Sequence, residues 1–218
     1  MKETAIDACV RILKREVRRW QEPIVGVVAK SSGDPFRILL STVLSLRTKD
    51  QTTAQASARL FRLATVPKKL GSIPLRRIER AIYPVGFYRT KARHIREICR
   101  DLMARYDGRV PATIEELLTL KGVGRKTANL VVTLGFHKPG ICVDTHVHRI
   151  SNRWGYIRTR TPKESEEALR RMLPRRYWMI FNDLLVPFGQ NLCKPISPLC
   201  SQCKLARYCD RVGVVRSR

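Results

Sequence analysis

Apolar positions along this chain recur at intervals of three and four residues, the spacing that lines one face of a helix, and no stretch alternates convincingly as a half-buried strand would. Ile6, Val10, Leu13 and Val17 predict an N-terminal helix that reaches about Trp20 and stops near Pro23. The polar breaker at residues 31–35 precedes FRILLSTVLSLRTKD, whose apolar run predicts a buried helix closed by the polar residues 47–50. A further helix follows to about Phe61. Short amphipathic runs continue over residues 75–81, 89–106 and 114–119, with glycine or proline in the intervals. There is no internal repeat, low-complexity linker or sustained heptad pattern, so the expected fold is all-α and compact.

The pattern changes character over residues 120–149, LKGVGRKTANLVVTLGFHKPGICVDTHVHR. Gly122 and Gly124 bracket Val123 and predict a tight turn that brings bare amide groups to the start of the next helix, where they suit a phosphate. Ala128, Val131, Val132 and Gly135 fall at i, i+3, i+4 and i+7, which predicts one buried stripe on a helix over residues 125–135. Lys126 shares the opposite face with Asn129, Leu130 and Thr133, so its amine is expected to point into a cleft. Asp144 follows Pro139 and Gly140 and opens the run Asp144, Thr145, His146, which suits a helix N-cap where the dipole favours a negative charge. Each signal alone is common: most lysines beside turns are solvated, and most GxG turns touch no phosphate.

Charge narrows the choice of partner. Lys and Arg number 43 against 18 acidic residues, a formal charge of +25, and so one-sided an excess points to a polyanion, with nucleic acid ahead of an anionic membrane. No run of 18 apolar residues occurs, and the start MKETAIDACVRILKREVRRW reads as an amphipathic helix rather than a signal peptide. The expectation is an intracellular protein of the cytoplasm or nucleoid, without membrane contact and monomeric.

Seven cysteines in a reducing compartment draw attention to spacing rather than disulfides. Cys99 lies on an apolar face with Ile95, Ile98, Leu102 and Tyr106 and reads as packing. Cys142, flanked by Ile141 and Val143, reads the same way, and nothing distinguishes Cys9. Cys193, Cys200, Cys203 and Cys209 are spaced C-x6-C-x2-C-x5-C and imply a metal. On general grounds structural zinc is the default for four clustered thiolates, with an iron-sulfur cluster as the alternative. The neighbouring Lys194, Lys204, Arg207 and Arg211 suggest a basic surface that meets a nucleic-acid backbone.

LKGVGRKTA followed by VDTHVHR resembles the helix-hairpin-helix and acidic motifs of the endonuclease III family of DNA glycosylases, and the resemblance runs along nearly the whole chain. It implies two helical lobes: a helical barrel over 32–138 that contains the hairpin, and a discontinuous lobe joining 1–31 to 139–218. Lys126 and Asp144 would then face each other across a cleft. It also reverses the zinc default in favour of a 4Fe-4S cluster. The implied activity is that of a bifunctional DNA glycosylase and abasic-site lyase of base-excision repair, acting on oxidised pyrimidines in duplex DNA. Lys126 would be the nucleophile, which has to be neutral to attack, and Asp144 would be the proton acceptor or charge stabiliser. Lys121, Gly122, Val123, Gly124, Arg125 and His146 would meet DNA, with His148 a weaker candidate. Phe87 in YPVGFYRTK stands where similar proteins carry an apolar wedge, with core packing the equal alternative for its ring, and Arg47 stands where the family has a glutamine that fills the vacated space. Arg47 departs from the family pattern, as does Lys121 where a proline is usual. A monofunctional mismatch thymine or uracil glycosylase is the nearest rival, and a non-catalytic zinc-containing DNA-binding module is the rival from another class.

Overall fold

Proline and short polar side chains start several of the helices. Asp34 accepts the Phe36 amide at 2.8 Å with Pro35 in the first turn. Thr161 does the same for the Glu164 amide at 3.2 Å, and Glu164 returns a bond to the Arg160 amide at 2.9 Å. The structure, a computed structural model, describes residues 5–20 and 22–218; the first four residues of the expected N-terminal helix lie outside the described residues.

In chain order the α-helices are α1 (Ile6–Glu16), α2 (Ile24–Ser32), α3 (Pro35–Ser45), α4 (Asp50–Leu63), α5 (Pro67–Ser72), α6 (Leu75–Ile82), α7 (Tyr88–Arg105), α8 (Ile114–Leu118), α9 (Arg125–Leu130), α10 (Thr145–Arg153), α11 (Pro162–Met172) and α12 (Trp178–Asn191). No strand occurs among the described residues, and none of their helices is long and apolar enough to cross a membrane. The all-α expectation holds. The sequence pattern marks no helix at α2, whose run IVGVVA is uniformly apolar and so lacks a periodic signal.

Two compact units form, each around its own core. Residues Ile24–Lys138 make one. At its centre α3 buries Ile38, Leu39, Leu40, Val43 and Leu44, and α2, α4, α7 and α9 pack against it. Residues 24–31, expected with the N-terminal segment, belong to this unit instead, because Val25 of α2 is buried in the same core. The other unit joins the segment ending at Pro23 to Pro139–Arg218. Here α1 and α10 pack on α12, burying Cys9, Val10 and Leu13 with Val147, Ile150 and Trp154. The Trp154 and Phe181 rings meet edge to face at 6.4 Å.

Candidate functional site

In the unit of residues 24–138, the glycine hairpin leads directly into α9. Val123 is buried and its amide bonds the Leu120 carbonyl at 3.1 Å, so the turn is pinned at its middle. Gly122 has φ +78°, and a Cβ there would lie 2.2 Å from Nδ1 of His94. Both facts require glycine. Gly124 has extended backbone, with nothing within 4 Å of a Cβ position, so its bareness leaves the start of α9 open. Lys121, Gly124 and Arg125 are exposed around that start.

The face of Lys126 differs from expectation. Lys126 is half-buried, but every residue from 127 to 133 is buried, including Asn129, Leu130 and Thr133, which were expected to share its open side. The physical reason is that the helix is enclosed on several sides. It packs against α3 and α8, then widens into a π-helical stretch, Val131–Gly135, that packs against α2 and α3. Only the first turn emerges. Lys126 is therefore placed at the surface by its position near the helix start rather than by the stripe.

The two loops that carry Arg47 and Phe87 meet. Phe87 is 63% exposed, so it is not a core residue, and the Arg47 guanidinium lies over its ring at 5.7 Å. Both residues have left-handed backbone, φ 52° and 59°. Beneath them is a residue that sequence reasoning missed. Lys91 on α7 is buried, and its Nζ donates to the carbonyls of Leu44 (2.9 Å) and Leu46 and to Oγ1 of Thr48 (3.2 Å). Burial lowers its pKa from the ordinary lysine value to about 8. Nothing local in YRTKARH separates it from a solvated lysine; the contacts are made 43 to 47 residues away.

In the other unit Asp144 caps α10. Its Oδ1 accepts from the amides of His146 and Val147, each at 2.9 Å, as the sequence signal predicts. His146 is half-buried, with Nδ1 3.1 Å from the Arg149 guanidinium; a Cβ on Gly189 would lie 2.4 Å from that nitrogen. His148 pairs through Nδ1 with Oγ of Ser165 at 2.7 Å, and burial holds its pKa below the ordinary histidine value. That is polar packing.

At its far end α10 supports the cysteine loop. Arg149 donates to the Cys193 carbonyl at 2.8 Å, and Arg153 donates to the Lys194 carbonyl at 2.6 Å and to Sγ of Cys193 at 3.5 Å. These two arginines also went unnoticed in the sequence. Cys193, Cys200, Cys203 and Cys209 line one cavity with Arg153, Trp154, Phe188 and Arg211. Burial pushes the Cys203 thiol up to about 11, and the other three cysteines add to that shift. A single tetrahedral ion would draw such groups to about 2.3 Å from one point; among the described residues, no three histidine, cysteine or acidic side chains converge in that way. Lys204, expected on a basic DNA-facing surface, pairs with Glu16 of α1 at 2.8 Å. Cys9 is buried, and Cys209 and Cys203 contribute after burial to raising its pKa to about 12. Cys99 and Cys142 are buried, as expected of packing residues.

Comparison with known proteins gives a consistent result. Residues 40–175 match the model of the HhH-GPD superfamily of base excision DNA repair proteins. Endonuclease III of Thermotoga maritima is 51% identical over 81% of this chain and 83% of its own length. The chain spans about half the length of the plant relatives it matches. Among solved structures, a non-covalent endonuclease III–DNA complex superposes with a TM-score of 0.86 at 34% identity, covering 97% of this chain and 96% of that one. A trapped endonuclease III–DNA covalent intermediate gives 0.84 at 33% identity, with 97% of each chain covered.

The two hairpin glycines are expected to respond differently to substitution. Gly122→Ala should cost about 1–2 kcal/mol of unfolding free energy, from the left-handed backbone and the displaced His94 ring, whereas Gly124→Ala should change stability by less than about 0.5 kcal/mol. Denaturant unfolding of the two variants checks this, and equal effects would contradict the placement of His94 against the turn.

Proposed function

Because the chain belongs to the endonuclease III family of the HhH-GPD superfamily, we propose that it is a bifunctional DNA glycosylase and abasic-site lyase that removes oxidised pyrimidines from duplex DNA. The observation that carries the lysine's part is the burial pattern of α9: of residues 126–133, only Lys126 is incompletely enclosed.

In this reading Lys126 Nζ attacks the sugar C1′. The bond from C1′ to the base breaks, and the base leaves with the electron pair. The amine loses one proton, the C1′–O4′ bond opens with its electron pair and a proton going to O4′, and the nitrogen, keeping its last hydrogen, forms the C1′=N iminium; removal of a 2′ proton then expels the 3′ phosphate, and water releases the lysine. Asp144 takes a proton from the amine or stabilises the positive charge that develops on the sugar. Its N-cap bonds fix the carboxylate to its own helix, so it needs no reorganisation during the reaction. Lys121, Gly122, Val123, Gly124 and Arg125 meet phosphate through amide groups and charge, and His146 adds a contact from α10. Phe87 and Arg47 enter the stack as the base leaves it, and the guanidinium over the ring presents them together.

The four cysteines suit a 4Fe-4S cluster. The support is their common cavity, walled by Trp154 and Phe188, with guanidinium donors at its edge. Bound there, the cluster would cross-link the chain from the end of α12 to Cys209, and Arg153 would donate toward the Cys193 sulfur.

Three outcomes are expected. Lys126→Gln should abolish both strand cleavage and borohydride-trapped adduct while leaving duplex affinity near wild type, whereas Asp144→Asn should lower excision by about 100-fold or more yet retain some trapping on a preformed abasic site. Undiminished incision by either folded variant would refute its role. Anaerobically purified protein should be yellow-brown, with iron and acid-labile sulfide in near-equal amounts; a colourless, folded protein with stoichiometric zinc would refute the cluster.

A further inference from the structure

The Arg47 and Phe87 loops are joined by a small set of bonds that converge on one side chain. Thr48 Oγ1 accepts from the Gly86 amide at 3.2 Å and from Lys91 Nζ at 3.2 Å. A Cβ on Gly86 would lie 2.6 Å from the Arg47 carbonyl oxygen, so the two backbones touch with no side chain between them. Lys91 reaches both loops. Its backbone amide bonds the Phe87 carbonyl at 3.0 Å, while its Nζ bonds the Leu46 carbonyl, which belongs to the same peptide group as the Arg47 amide. Each of the two left-handed residues is thus one peptide group from a Lys91 contact.

An ammonium has three donor hydrogens and no acceptor, and here it meets three oxygens, from Leu44, Leu46 and Thr48. Two of these are carbonyls at the C-terminal end of α3, where a cation is favoured by the helix dipole. An apolar side chain would fill the volume at lower desolvation cost but would leave those carbonyls without this donor. The bonds also fix direction: Nζ belongs to the helix that Phe87 opens, so α3 and α7 are tied at the two points from which Arg47 and Phe87 project.

We propose that Lys91 is a positioning residue for base extrusion: its ammonium holds the Arg47 and Phe87 loops in register, so that guanidinium and ring enter the duplex as one unit. This rests on the reading above that Phe87 and Arg47 enter the stack. Lys91 touches neither the sugar nor the base in this account, and its effect is confined to the step in which a stacked base leaves the duplex.

The test compares wild type, Lys91→Met, Thr48→Val and Phe87→Ala on two duplexes. One carries 5-hydroxycytosine beside 2-aminopurine, whose fluorescence rises on unstacking; the other carries a preformed abasic site. Lys91→Met should slow single-turnover excision and the fluorescence rise by about tenfold or more, while cleavage of the abasic duplex changes by less than about threefold. Thr48→Val should give a smaller loss with the same split. Equal losses on both duplexes, or an unchanged fluorescence rise, would overturn the proposal. If Lys91→Met fails to fold by circular dichroism, Thr48→Val decides, and wild-type behaviour there overturns the proposal. Phe87→Ala separates the two levels. Absence of the split in that variant refutes the wedge reading itself; its presence alongside a wild-type Lys91→Met refutes only the role of Lys91.

Discussion

The enclosure of the helix that follows the glycine hairpin is the constraint on which the 24–138 unit depends. Residues 127–133 are all buried, so α9 and its π-helical continuation cannot rotate or slide without breaking the core around α3. The hairpin must then end where the helix begins, with Val123 buried as an anchor and Gly122 supplying both the left-handed backbone of the turn and the room that the His94 ring occupies. Lys126 inherits its place from this arrangement. An amine on the open first turn of a rigidly packed helix loses little freedom on reaching a transition state, which is what the proposed nucleophile would gain from this placement.

The other unit uses a single helix in a comparable way. Asp144 caps α10 at its start, and Arg149 and Arg153 further along the same helix bond carbonyls of the cysteine loop. The loop of residues 193–209 contains only two short 3-10 turns, and these arginine donors add anchorage to it from α10. A cluster there would complete the structure of a segment with little regular backbone bonding of its own. The proposed carboxylate and the proposed cluster ligands therefore share one element as their support.

Local signals were legible in the sequence, and distant ones were not. The Asp144 cap could be read because proline and glycine breakers precede an aspartate within a few residues. Most of the helices between Pro35 and Leu118 could be read from periodicity, within a residue or two at their ends. The open face of Lys126 was misread because a four-residue stripe identifies one buried face and says nothing of a helix buried on the others. For α2 the uniform apolar run concealed the helix, and with it the boundary between the units. That Phe87 is not a core residue became clear only from its exposure, since its neighbours in sequence do not distinguish a packed from an exposed ring. Lys91 was invisible for the same kind of reason: its partners are carbonyls of a helix some 45 positions earlier, and no residue type advertises a carbonyl.

One particular amine, that of Lys126, is proposed to form the covalent bond to DNA. Borohydride reduction of the protein on abasic duplex, followed by nuclease and protease digestion and peptide mass mapping, identifies that amine directly. The sugar remnant is expected on Lys126, within the peptide that begins after Arg125. A remnant on Lys121, Lys91 or the N-terminal amine, with Lys126 unmodified, would contradict it.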